Sequence, residues 1–248
     1  MDGVVVTTKR FLPKFLFCLW ECGTLLLGRV LLKKEARLKV ARLAHFLGFQ
    51  PDVIPRAEKT DYWEIGGSPE SQIALGFGSS KIGDTSFQEI AILSSLVRHF
   101  QPKTIFEFGT ANGFATLNFA LNSGAETKIY TLDIGRPDDM GSLFKKNSAR
   151  EKIIQLQGDS TFFDFTPYKN SVDFIFIDAN HSRKNVYTDS QSAIQLIGDR
   201  KGIILWHDYS AWEGVTEALE ELRQTDDRFR KLRWMNGTTL ACLMVNDR

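Results

Sequence analysis

The stretch TIFEFGTANGFATLNFALN, residues 104–122, decides how this chain reads. Its first part, Thr104–Phe108, is a short apolar run of the length expected for a buried strand. Its last part, Phe114–Asn122, carries an apolar helical pattern. The link between them is Gly109-Thr-Ala-Asn-Gly113. A strand that passes through a glycine turn into a helix opens an α/β sheet, and ligands of such sheets sit beyond the carboxyl ends of the strands. Gly109 lets the backbone turn tightly, and Gly113 is expected to let a ligand approach the helix start. That helix start offers free N–H groups and the positive end of a dipole, suited to a carboxylate. Glu107 places a negative charge beside the same turn, where an ammonium or a sulfonium is welcome.

Outward from this unit the pattern alternates. Upstream, Ser86 and Glu89 form a capping-box pair, followed by an apolar stripe through Ile90, Leu93, Val97 and Phe100 that Pro102 closes. Downstream, strands are expected at Lys128–Leu132, Ile153–Leu156, Val172–Ile177 and Gly202–Trp206. Helices are expected at Gly141–Arg150, Arg183–Leu196 and Trp212–Arg223. Strands alternating with helices imply a doubly wound, mostly parallel sheet covered on both faces. The end differs: Phe229–Met235 and Thr238–Val245 read as an antiparallel hairpin closed by a two-residue Asn236-Gly237 turn. Residues 1–60 read as helical and 61–85 as a Gly- and Ser-rich loop, so the expected division is an extension over 1–85 and a ligand-binding domain over 86–248.

Composition narrows the partners. The 248 residues carry a net charge of +1, which gives no pull toward nucleic acid or anionic membrane. Cys18, Cys22 and Cys242 fit no disulfide framework or zinc spacing, so a reducing, cytoplasmic setting is the default. The apolar run from Phe11 to Leu32 is interrupted by Lys14, Glu21 and Arg29, too often for a membrane span. A helix over residues 11–48, packed on the domain or on a second subunit of a homodimer, is preferred there to contact with a membrane surface.

The residues just past each strand carry the chemistry. Asp133 ends the second strand of the alternating series, where an acid accepts ribose hydroxyls, and Ile134 next to it can pack on a base. Gly158-Asp159-Ser160 follows the third, where a carboxylate can accept adenine amino hydrogens. Asp178, with Asn180 and His181, follows the fourth, and His207-Asp208 follows the fifth. Polar endings on every strand in a row point to one ligand-binding rim.

The chain resembles the class I S-adenosylmethionine-dependent methyltransferases, and within them is similar to small-molecule O-methyltransferases of the catechol and macrocin type. The resemblance runs from about Gly83 to the C-terminus and rests on residues 106–113, 172–181 and 202–208. It implies a Rossmann-like methyltransferase fold. It implies that Glu107, Gly109 and Gly113 hold the methionine half of the cofactor, Asp133 the ribose, and Asp159 with Ser160 the adenine. Catechol-type enzymes bind magnesium through an aspartate after the fourth strand and an Asp-Asn pair after the fifth. Asp178 and Asp208 match the aspartates, but Tyr209 stands where the asparagine would be, and Tyr is a poor magnesium ligand.

Two routes to an activated acceptor therefore remain open. In one, Mg²⁺ on Asp178 and Asp208 lowers the acceptor's pKa. In the other, His207 or His181 is the general base. Tyr62, Trp63, Phe77, Trp206, Tyr209 and Trp212 read as core and rim packing, with a pocket lining as the sharper alternative. The competing functions are a non-catalytic cofactor-binding protein of the same fold and a nicotinamide oxidoreductase. The second would want Gly-x-Gly-x-x-Gly after the first strand, and here the middle glycine is missing.

Overall fold

The computed structural model describes residues 56–67, 72–76, 85–138 and 140–247. The expectations for residues 11–48, for Cys18 and Cys22 and for Phe77 lie outside the described residues. Among the described residues no helix is long and apolar enough to cross a membrane.

Among the described residues eight strands form one sheet: β1 (Glu58–Thr60), β2 (Thr104–Phe108), β3 (Lys128–Asp133), β4 (Ile153–Gln157), β5 (Phe174–Ile177), β6 (Gly202–Trp206), β7 (Arg233–Met235) and β8 (Ala241–Val245). Their spatial order is β1-β7-β8-β6-β5-β2-β3-β4. Every pairing is parallel except those of β8, which runs antiparallel to both β6 and β7. The chain builds outward from β2 through β3 to β4, then returns to lay β5 and β6 on the other side of β2. The switch point thus falls between β2 and β5, where a ligand crevice is expected.

The α-helices of the described residues that cover the sheet are α1 (Phe87–Phe100), α2 (Phe114–Asn122), α3 (Arg183–Ile197) and α4 (Glu213–Thr225). Strand residues alternate between the two faces because side chains of a strand point to opposite sides. Phe174, Phe176, Ile203 and Leu205 pack with α1 and α2. Ile175, Ile177, Ile204 and Trp206 pack with α3 and α4. Glu107 interrupts this apolar alternation, fully buried between Phe106 and Phe108 on the central strand. A buried carboxylate at the centre of a sheet is costly unless it is partnered, and this one is.

Four local expectations need correction. The Gly141–Arg150 segment is not an α-helix. Gly141 turns at φ +70, successive tight turns bond Phe144 to Gly141 and Asn147 to Phe144, and a short 3₁₀ helix follows at Ser148–Lys152. The strand expected from Phe229 begins only at Arg233, because Phe229 ends a 3₁₀ turn whose start is capped by Asp226. The hairpin loop is four residues long, not two: Met235 N–H bonds the Leu240 carbonyl, while Asn236 N–H turns outward to Thr60 on β1. Residues 58–60, expected within a helical extension, are instead a strand, since β7 offers them a free edge to pair with.

Candidate active site

The loop after β2 is shaped by close backbone packing. Gly109 has φ +96, and a Cβ there would lie 2.0 Å from the carbonyl oxygen of Asp178. Glycine at this position lets the ends of β2 and β5 meet at the switch point. Gly113 has φ +83, and a Cβ there would strike the ring of Phe144 at 2.5 Å. Phe144 and the backbone angle therefore both call for glycine at 113.

Asp133 clamps this loop. Its Oδ2 accepts N–H bonds from Thr110 (2.9 Å) and Ala111 (3.0 Å), and its Oδ1 accepts one from Gly135 (2.8 Å). A carboxylate has about four acceptor positions, so one remains for a ligand hydroxyl. Ile134 is 73% exposed beside it, an apolar side chain standing at the strand ends with no core to join. Asp159 accepts the N–H of Thr161 (2.9 Å) and shapes the next turn. Ser160 and Asp159 both lie near Asp189 on α3, a buried carboxyl that the sequence reading missed. Burial, with a smaller contribution from the charge of Asp159, raises Asp189 to about 6.

Glu107 is stabilised from below the loop. Its Oε2 accepts hydroxyl bonds from Thr116 on α2 and Thr131 on β3, and Thr110 in turn meets Thr131 at 2.7 Å. Burial raises the Glu107 carboxyl foremost; the two hydroxyls oppose this, and the charges of Asp178 and Asp133 reinforce it, leaving it at about 8. In the free protein this carboxyl is held largely neutral, and an ammonium placed beside it would favour its charged form.

Past β5 and β6 the polar residues converge. His207 Nδ1 lies 3.3 Å from Asp178 Oδ1 and 3.3 Å from Asp208 Oδ2, and its Nε2 lies 3.3 Å from Glu89 Oε2. His181 Nε2 lies 2.9 Å from Asp208 Oδ2, and its ring stacks on Trp212 with centroids 4.6 Å apart. Thr85 donates to Asp178 Oδ2 at 3.1 Å. Glu89 was legible only as a helix cap. Its capping box with Ser86 is present, but Oε1 also accepts the N–H and the hydroxyl of Thr239, both at 2.8 Å.

Electrostatics follow from this packing. Burial opposes the charge on His207, but Asp178, Asp208 and Glu89 outweigh it and hold the imidazole well above its ordinary pKa. Burial likewise opposes charge on Asp208, yet His181 and His207 hold it at about 2. For Glu89 burial is again the opposing influence, and His207, Thr239 and Ser86 keep its carboxyl below the usual range. The cluster is thus three carboxylates around one imidazole.

The two candidate bases are not equivalent. His207 is 6% exposed and enclosed by carboxylates, whereas the His181 side chain is 35% exposed at the rim. Of the two imidazoles, the second is the more open to the rim. Tyr209 faces away altogether: it is buried in the core, its hydroxyl donates to Glu220, and it accepts the N–H of Ala57 at 3.1 Å. Trp206 is core as well, with its indole N–H on Ser190. Trp212 joins the cluster directly, through its stack on His181.

Comparison with known proteins agrees with this architecture. Residues 106–209 match a family described as a methyltransferase domain. A caffeoyl-CoA O-methyltransferase from Stellaria longipes is 28% identical over 221 residues, covering 86% of each chain. An O-methyltransferase from Bacillus cereus, solved in complex with SAH, superposes with a TM-score of 0.54 at 16% identity, over 88% of this chain and 94% of that one. The O-methyltransferase TomG from Streptomyces achromogenes, solved with SAM, gives 0.53 at 16% identity, over 88% and 94%. At these identities the two structures speak for the fold.

Proposed function

We propose that this chain, a class I S-adenosylmethionine-dependent methyltransferase, methylates a hydroxyl of a small aromatic acceptor, with His181 as the base at the rim of the site. The observation that carries the reading is the convergence of Asp178, His181, His207 and Asp208 at the ends of β5 and β6, adjoining the glycine loop of β2. The Stellaria relative is a caffeoyl-CoA O-methyltransferase, which favours a phenolic acceptor for this chain too.

The residues of the β2 to β4 rim fit the cofactor. Glu107 with the Gly109–Gly113 loop suits the methionine end, Asp133 keeps one acceptor position for a ribose hydroxyl, and exposed Ile134 offers a face to the adenine near Asp159. Ser160 fits less well, because it lies against Asp189. When bound, the cofactor supplies a methyl group on a sulfonium, which transfers by in-line displacement. The protein's task is to align the acceptor oxygen and take its proton. His181 Nε2 lies 2.9 Å from Asp208 Oδ2 without a well-formed hydrogen bond, and Trp212 stacks on its ring, so Nδ1 is the nitrogen proposed to receive the proton.

Asp178 and Asp208 also fit a divalent cation. Among the described residues, one donor atom each from Asp178, His207 and Asp208 lie within 4.8 Å of one another. A cation held there would lower the acceptor's pKa and orient it. The protein would then divide the work: Asp178 and Asp208 place the charge, and His181 accepts the proton.

The test is His181→Ala in a methyl-transfer assay with a catechol-type acceptor. General base catalysis contributes about 10²–10⁴-fold, so kcat should fall at least a hundredfold while cofactor binding stays unchanged. Unaltered kcat would remove His181 from the chemistry.

A further inference from the structure

We infer that His207 is itself a metal ligand, through Nδ1, that Glu89 is the outer carboxylate that aims it, and that the site accordingly prefers a divalent transition ion to Mg²⁺. This rests on the divalent-cation reading of Asp178 and Asp208 given above.

The geometry of His207 carries the inference. Its Nδ1 is buried, sits 3.3 Å from an oxygen of each aspartate, and makes a well-formed hydrogen bond to neither. An imidazole nitrogen aimed between two carboxylates, bonded to neither, points at a shared position that all three atoms can reach. The other nitrogen is committed: Nε2 faces Glu89 Oε2 at 3.3 Å. A metal-ligating histidine characteristically donates its second N–H to a carboxylate, which fixes the tautomer and raises the basicity of the ligating nitrogen. Glu89 is well suited to that part, because it cannot swing away. Ser86 holds one of its oxygens through N–H (3.1 Å) and hydroxyl (2.7 Å), and Thr239 holds the other through N–H and hydroxyl, both at 2.8 Å.

The same arrangement accounts for Tyr209. A third oxygen ligand following Asp208 would have to come from position 209, and that side chain is buried with its hydroxyl spent on Glu220. The third donor comes instead from the residue before Asp208, and it is nitrogen. That changes ion preference. Mg²⁺ wants oxygen donors in a strict octahedron, whereas imidazole suits first-row ions such as Fe²⁺ and Zn²⁺, and affinity for mixed N/O sites climbs along that series from Mn²⁺, its weakest and spectroscopically most useful member.

The experiment uses the full chain stripped with a chelator, and Mn²⁺ and Mg²⁺ as probes in equilibrium dialysis, with pulsed electron paramagnetic resonance on bound Mn²⁺. The wild type should bind one Mn²⁺ about tenfold or more tightly than Mg²⁺, with hyperfine coupling to a nitrogen nucleus. His207→Ala should lose that coupling, and His207→Asp should shift preference back toward Mg²⁺. Glu89→Gln should weaken Mn²⁺ about 10–100-fold while keeping the coupling. Binding of S-adenosylhomocysteine serves as the control for folding in each variant. Nitrogen coupling that survives in His207→Ala, or Mn²⁺ and Mg²⁺ affinities untouched by either His207 variant, would overturn the inference; loss of binding in Asp178→Asn would then leave the aspartate metal reading standing. A wild type that binds S-adenosylhomocysteine but no divalent ion would overturn both.

Discussion

The two halves of the rim are built in different ways. The half at the ends of β2, β3 and β4 is built largely on backbone: a glycine turn, an aspartate 23 residues on that clamps its N–H groups, and a Gly-Asp-Ser turn. The half at the ends of β5 and β6 is made from side chains brought together across the chain. Glu89 meets His207 from 118 residues away and Thr239 from 150. A backbone-built half should tolerate change poorly in its fold and a side-chain-built half should lose chemistry first.

The largest expected effect is therefore at Gly109. Adding a Cβ at φ +96, against the Asp178 carbonyl, combines backbone strain with a steric overlap. Gly109→Ala should cost about 3 kcal/mol or more in urea unfolding and abolish cofactor binding. An alanine variant of wild-type stability would show that the two halves do not meet through this glycine.

Asp133 comes next. Removing it releases Thr110 and Ala111 N–H groups as well as any ribose contact. One ligand hydroxyl bonded to a charged acceptor is worth about 1.5–3 kcal/mol, so Asp133→Ala should weaken S-adenosylhomocysteine about 10–100-fold by calorimetry. A change below threefold would break the comparison at its backbone-built side.

How far the sequence discloses each half follows from the same contrast. β2, β6 and α2 have the limits their apolar patterns imply, and the strand-end residues fall on one rim as their spacing requires. Failures cluster where distant contacts or special backbone angles decide. Gly141 at φ +70 interrupts a helical pattern, and β1 forms only because β7 offers an edge. Glu89 carried one visible signal, the Ser-x-x-Glu capping box, which is local, whereas its contact with His207 is not. The burial that separates His207 from His181 had no signature in spacing.

Glu107 joins the halves electrostatically, and its effect is the one that depends on pH. Its folded pKa of about 8 exceeds an ordinary value of 4.5, so folding favours its protonated form. Its contribution is fully present below pH 4.5 and is lost as pH rises toward 8. Glu107→Gln should therefore gain on the wild type progressively across that window, by up to about a few kcal/mol in the ligand-free protein. Stability curves that run parallel from pH 5 to 8 would show that Glu107 is already charged.

The most direct test of the central reading is transfer of a labelled methyl group from S-adenosylmethionine to a panel of phenol, catechol and amine acceptors, with the alkylated atom located in the product. The account predicts label on a phenolic oxygen, with turnover lost in His181→Ala. Tight cofactor binding with no transfer to any hydroxyl, or label found on nitrogen alone, would contradict it.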